Sequence, residues 1–493
     1  MLYDARVRQG AVLFAALFTL AACSGSSAAP PSSDGGTEPA ARPSDPAAAA
    51  ARAACSFKRG ALPADTLGAS SPTGDAIPID TIVVLMQENR SFDSYFGHLG
   101  KFANRTDIES APDDTTNPAS VGDGNPTGVT HPYQHAPQLC SLDTAHEWSA
   151  THVEWDNGLM DGFFYENNGF GPLPPMADPS LADGERALWW YDERDIPFYY
   201  ALASTFAIGD HYHASILGPT WPNRMYLYAA TSFGRTTGEL PDVSAYPYPA
   251  KDAAIFDELE KAHVSWNIYG DGAIGAEVVF GPALFNRYGR NPILAPEAFL
   301  QQAAAGTLPQ VAFVDPHLGA QAPGRNDEHP PADIQVGEEF VSQIVLALFR
   351  SPVWPHAAMF LTYDEHGGMY DHVAPPATCS PDTTAPILAP GDVTKAGFDR
   401  YGVRVPMTVI SPYARPAFVS HVVHDHTSVT RFIETRFDLP ALTARDANAD
   451  PMLEFFDFTS PAFLTPPNLA APAVDPTALS FCAQTYMNVP TSP

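Results

Sequence analysis

With 493 residues the chain can bury one large core or two to three moderate domains. Hydrophobic residues at 45% and aromatics at 11% exclude a mainly disordered chain, while 50 prolines and 35 glycines imply many loops around the core. A net charge of -30, from 26 basic and 56 acidic side chains, disfavours nucleic acid and anionic bilayers as nonspecific partners, because counterion release needs Lys and Arg.

Arg6 and Arg8 precede an apolar run at 11–22 (AVLFAALFTLAA) that is too short to span a bilayer comfortably, so residues 1–22 read as an export signal. The run closes on Leu20-Ala21-Ala22-Cys23, which resembles the lipobox of bacterial lipoproteins. That resemblance implies cleavage before Cys23, acylation of its thiol and an exported protein held to a bacterial membrane by its lipid. Arg6 and Arg8 are not adjacent, so a twin-arginine signal is not supported. Residues 23–54, rich in Ser, Ala and Pro, read as a disordered tether with a root-mean-square span of ~30 Å. The body is then 55–493. Its four cysteines, Cys55, Cys140, Cys379 and Cys482, suit two disulfides with three possible pairings, and no C-x-x-C pair suggests zinc.

The body opens with a β-branched run, Ile79 to Met86, of the kind buried on both faces of a parallel sheet. Similar runs stand at 264–269, 311–314, 357–363 and 403–410, and helix-like stretches at 187–206, 223–231, 254–263, 338–350 and 428–437 lie between or after them. Alternation of this kind predicts an α/β fold: a doubly wound, mostly parallel sheet with helices on both faces and ligands beyond the C-terminal strand ends. Residues 98–185 are loop-rich and aromatic, and read as an insertion over one side of the site.

Three polar segments sit where such a sheet binds ligands. The first run leads into Gln87-Glu88-Asn89-Arg90-Ser91-Phe92-Asp93, which can ligate a cation through a carboxylate and an amide oxygen, or cap a helix through Asn89 or Ser91. The run at 357 leads into Asp364-Glu365-His366-Gly367-Gly368, where adjacent acids need a cation or hydrogen bonds if buried, and a solvated turn is the alternative. In Gly218-Pro219-Thr220-Trp221-Pro222-Asn223-Arg224, Thr220 lies at a helix start and is either a cap or a nucleophile activated by the helix dipole and a metal. Histidines cluster with acids in Asp327-Glu328-His329-Pro330-Pro331, at His131, His135 and His146, and at His424-Asp425-His426.

Together these segments (VVLMQENRSFDSYFG, GPTWPNR, NDEHPP and TYDEHGGMYDHV) resemble the bacterial and plant phosphoesterase family of non-specific phospholipases C and AcpA-type acid phosphatases, within the alkaline phosphatase superfamily. The resemblance covers roughly residues 78–460 and implies an alkaline phosphatase-like core. It implies that Asn89, Asp364 and Glu365 ligate one divalent metal ion with Glu88 close by, and that Thr220, also at the metal, attacks phosphorus to give a phosphothreonine. His329 and His366, with His135 and His146, are implied to hold the phosphate or protonate the leaving alcohol; Arg224 matches a family position and is expected to contact the phosphate, and Asp161 matches another. Trp221 departs from the family, which often carries His, Asn or a small residue there. The expected activity is phospholipase C-like hydrolysis, with small phosphomonoesters as the alternative substrate and a non-catalytic binding lipoprotein as the competing class. Calcium, magnesium, manganese and zinc all remain open as the metal.

Two decoys fail on their own terms. Gly270-Asp271-Gly272-Ala273-Ile274-Gly275 matches G-x-G-x-x-G, yet no convincing helix follows and no acid ends a strand about 20 residues on. Asp446, Asn448 and Asp450 begin like an EF-hand, but Pro451 replaces the required glycine, which favours a helix cap.

Overall fold

The computed structural model describes residues 45–171, 183–239, 253–270, 288–289, 291–318, 325–392 and 396–486. The export signal, Cys23 and the first part of the tether lie outside these residues, as does 271–275 of the glycine decoy.

Eight strands form the central sheet: β1 (Thr81–Gln87), β2 (Ala207–Gly209), β3 (Trp266–Tyr269), β4 (Ile293–Leu294), β5 (Val311–Val314), β6 (Ala357–Tyr363), β7 (Met407–Ile410) and β8 (Val419–Ser420). Their order is β8-β2-β7-β6-β1-β5-β3-β4. All pairings are parallel except the two made by β7. The β-branched runs are buried along their whole length in β1, β5 and β6, as double-sided coverage requires. The run expected at 403–410 shortens to β7 because Pro406 has no N–H for the ladder and Arg404 is turned inward to Asp93 and Asp371.

Register sorts the helices onto two faces. Phe360, Val84 and Phe313 are cross-strand partners and therefore share a face. Phe360 packs on Phe432, and Phe313 on Tyr228 and Phe256, which places helices Thr220–Ala229, Ile255–Lys261 and His426–Phe437 there. Val314 and its partner Tyr269 point the other way, and Tyr269 meets Phe299 of helix Pro296–Ala305. The longest helix, Ile334–Arg350, is capped by the Asp333 side chain and buries Val341, Ile344, Val345 and Leu348 at helical spacing.

Two further expectations are revised, and two open readings are settled. The helix expected over 187–206 is a 3₁₀ turn, the short strand Trp189–Trp190 and then helix Pro197–Thr205. Residues 46–54, expected as tether, belong to the body: Pro46–Ala53 is a helix capped by Asp45, and Arg52 donates to the Thr66 carbonyl at 2.8 Å and pairs with Asp450 at 3.1 Å. The disulfides are Cys55–Cys379 and Cys140–Cys482. The EF-hand decoy is helix Ala444–Asn448, whose start Asp446 and Thr443 cap reciprocally.

Candidate active site

Because β1, β5 and β6 are adjacent and parallel, the residues that follow them emerge at one edge: Glu88 and Asn89, Asp315, and Asp364 and Glu365. Asn89 has a positive φ of 59°, and its backbone N–H donates to Asp364 Oδ1 at 3.1 Å. Ser91, two residues on, caps helix Phe92–Phe96, so the cap and the ligand readings of this segment fall to different residues.

Thr220 opens the next wall. It is the first residue of its helix, whose cap is Pro219 with no side-chain cap bond, so the hydroxyl does not cap. It donates instead to Glu88 Oε2 at 3.3 Å. The other Glu88 oxygen accepts from Arg224 Nε at 2.9 Å and Nη2 at 2.5 Å. Arg224 also reaches Asp315 Oδ1 at 3.0 Å and the Met86 carbonyl at 3.1 Å, with Nε 3.5 Å from Asp364 Oδ2. Arg224 is therefore wholly buried behind the site among carboxylates and is not turned to a phosphate, correcting its expected role.

At this edge three buried oxygens make no hydrogen bond: Asn89 Oδ1, Glu365 Oε1 and Asp364 Oδ2, the last lying 3.5 Å from Arg224 Nε. Buried carboxylate and amide oxygens are seldom left this way, and with Thr220 Oγ1 nearby they form a set of hard donors that fits a divalent cation. The electrostatics agree. Burial pushes the Glu88 carboxyl up to about 8, with the Asp364 charge adding to the shift and Arg224 opposing it. Burial likewise lifts Asp364 to about 6. Carboxylates crowded at this cost are what a cation would relieve.

Histidines close the opposite side. His146 Nδ1 donates to the Thr144 carbonyl at 2.6 Å, leaving Nε2 3.4 Å from Asn89 Nδ2. Against the cost of burial, Glu365, Asp143 and Glu147 raise the His146 imidazole to about 10. His329 Nδ1 donates to the Pro330 carbonyl at 2.6 Å, and its ring lies 5.6 Å from that of His146. Asp143, His146 and His329 bring one ligand atom each within 4.8 Å of one another, one of four such groups among the described residues.

Two expected site histidines are elsewhere in role or place. His366 is buried with Nε2 2.8 Å from Glu154 Oε2 and Nδ1 3.3 Å from Glu365 Oε2, so both ring nitrogens face carboxylates rather than the open side expected of a phosphate or leaving-group contact. Against burial, these two carboxylates raise it to about 9. His135 bonds Asp195 at 2.8 Å and meets Trp190 edge-on, in contact with none of the groups above. Asp161 carries a buried oxygen without a partner and faces Asp156, whose charge, after burial, raises its carboxyl. Sequence reasoning missed Asp143, Glu154, Asn167 and Asp315. Asp315 ends β5 at the ligand edge and was findable by position; Glu154 and Asn167 carry no local signal.

Buried carboxylate and amide oxygens at the ligand edge of a parallel sheet, with a hydroxyl at a helix start, are the arrangement a metal-assisted α/β hydrolase uses. The sequence matches the Phosphoesterase family over residues 79–440, and the chain belongs to that family. It is 33% identical over 455 residues to phospholipase C B of Mycobacterium tuberculosis, covering 83% of each chain. It is 30% identical over 397 residues to non-specific phospholipase C1 of Arabidopsis thaliana, covering 77% of this chain and 71% of that one. Among solved structures, a protein of the alkaline phosphatase superfamily from Vibrio parahaemolyticus aligns at a TM-score of 0.31 and 9% identity, over 72% of this chain and 77% of that one. The chain is a hydrolase of phosphate esters.

Proposed function

We propose that the protein is a phospholipase C-like enzyme that cleaves its substrate through a phosphothreonine on Thr220, exported and anchored by a lipid on Cys23. The observation that carries the reading is the Thr220 hydroxyl, free of capping duty and directed at Glu88, at an edge where three buried oxygens make no hydrogen bond. The substrate class rests on the relatives, which are phospholipases C.

Asn89, Asp364, Glu365 and Thr220 would hold one divalent ion, which when bound acidifies the Thr220 hydroxyl and offsets phosphate charge. The all-oxygen donor set suits calcium, magnesium or manganese. Thr220 Oγ1 attacks phosphorus, its proton passing to Glu88 Oε2, while the bond from phosphorus to the alcohol oxygen breaks. His329, with Nδ1 tied to a carbonyl and Nε2 4.0 Å from Asp143 Oδ1, gives the departing alcohol its proton. Water then attacks the phosphothreonine and returns a proton to His329, and Thr220 recovers its own from Glu88. His146 and Asn89 Nδ2 hold the phosphoryl oxygens. Arg224 fixes Glu88 from behind.

Hydrolysis of p-nitrophenyl phosphorylcholine should be abolished by a chelator and reduced at least ~10³-fold by Thr220→Ala. Acid quenching during turnover should trap a phosphoryl group on the peptide containing Thr220. Unchanged activity in Thr220→Ala would remove the nucleophile assignment, and cleavage of p-nitrophenyl phosphate alone would redirect the substrate to small phosphomonoesters. Fatty-acid labelling lost in Cys23→Ser checks the anchor.

A further inference from the structure

The His366 imidazole reaches the site only through Glu365, and its far nitrogen is held by an acid from a segment 212 residues away in sequence. We propose that Glu154, acting through His366, is a positioning residue that aims Glu365 at the metal; this rests on the reading of Glu365 as a ligand.

The chain of contacts is continuous. Glu365 Oε2 accepts from the Gly367 N–H at 2.6 Å and lies 3.3 Å from His366 Nδ1, whereas Oε1 is buried with no partner. Fixing one oxygen leaves the other pointed in a single direction. His366 could not do this if its ring turned, and Glu154 Oε2 at 2.8 Å on Nε2 prevents the turn, helped by Phe163 edge-on at 6.0 Å. Glu154 is itself oriented, since Oε1 accepts from Asn167 Nδ2 at 3.1 Å. The same Asn167 accepts the Ala145 N–H at 2.7 Å through Oδ1, so one amide aligns both the His366 arm and the segment carrying His146.

A purely architectural hydrogen bond to His366 needs no charge, and a fully buried carboxylate is an expensive way to make one. A carboxylate on the far nitrogen of a metal-ligating imidazole orients that ligand, and here the same carboxylate–imidazole pair stands one step further out, behind a carboxylate ligand. The 98–185 segment thereby contributes to the cation site without supplying a ligand.

Metal-free protein titrated with Mn²⁺, free Mn²⁺ being followed by electron paramagnetic resonance, reads this directly. Glu154→Ala should weaken Mn²⁺ binding ~10–100-fold, and Glu154→Gln, whose amide oxygen still accepts from His366, should recover part of the loss. The thermal midpoint of the metal-free proteins is the control, because a merely structural role would lower it and leave the Kd alone. Kd values within about twofold of wild type in Glu154→Ala would overturn the proposal. Should that variant not fold, an unchanged Kd in Glu154→Gln does the same. Failure of the wild-type protein to bind Mn²⁺ would instead defeat the metal reading of the site, and this proposal with it.

Discussion

His424 and Glu454 make a buried pair at 2.7 Å, with Ser420 donating to the same Glu454 oxygen at 2.8 Å. Burial acts against both charges, yet Glu454 raises the His424 imidazole above its ordinary value of 6.5, and His424 pulls Glu454 from 4.5 down to about 2. The histidine's contribution to stability is full below 6.5 and is lost as pH rises through its folded value; the glutamate's is full above 4.5 and is lost as pH falls toward about 2. Urea unfolding should therefore show His424→Asn destabilised more near pH 6 than near pH 9, and an equal penalty at both would dispose of the pair as a stabilising charge interaction. Single residues of this kind were legible in the sequence only as types. His424 was visible in a histidine cluster, but Glu454 was not visible as its partner. From its own segment Thr220 reads as a helix cap sooner than as a nucleophile, until Pro219 is seen to take the cap position. Arg224 reads as a phosphate contact until Asp315 and Glu88 enclose it. His135 and His146 stand 11 residues apart in the same loop-rich segment and have different neighbours in space, Asp195 and Asn89.

At the scale of elements, β1, β5 and β6 were legible because every position is buried, so each reads as an almost unbroken apolar run. β2, β4 and β8 have two or three residues each, too few to show a period, and were missed. The ligand edge followed from the strands, and the turn after β6 shows how closely its elements approach. Gly367 has φ +63°, and a Cβ there would lie 2.5 Å from Asn89 Cβ and 2.7 Å from its carbonyl oxygen. Gly367 also supplies the N–H that fixes Glu365. Only glycine meets both demands without strain. Gly367→Ala should push Asn89 off its oxygen set and lower kcat/KM by at least about tenfold, a displacement near 1 Å being worth up to about a hundredfold. Wild-type turnover and metal affinity in purified Gly367→Ala would show that the turn tolerates a side chain. The 98–185 segment was read as a cover and is also a supplier, since Asp143, His146, Glu154 and Asn167 all come from it. Glu154 and Thr144 bond partners more than 200 residues away and His146 lies against Asn89 57 residues away, separations no periodicity can report.

Across the whole molecule, two crosslinks tie early segments to late ones, over sequence separations of 324 and 342 residues. Their pairing was undetermined among three in the sequence, because it depends on which ends the folded sheet brings together. They are not equivalent. Cys55–Cys379 fastens the N-terminal helix, with Arg52 alongside. Cys140–Cys482 joins helix Pro476–Thr485 to a residue three positions before Asp143 and six before His146, where Tyr486 packs with Leu142 and accepts from Gln138. Both crosslinks restrict the unfolded chain, so Cys55→Ser/Cys379→Ser and Cys140→Ser/Cys482→Ser should each lose about 2–5 kcal/mol in denaturant titrations. Their activities should part. Assayed well below the unfolding range, the Cys140/Cys482 variant frees the strand of chain that presents His146 and should lose about tenfold or more in kcat/KM, while the Cys55/Cys379 variant should stay within about threefold of wild type. Equal activity in the two variants would mean that Arg186, which donates to the Asp143 carbonyl at 2.9 Å, holds the segment without help from the crosslink.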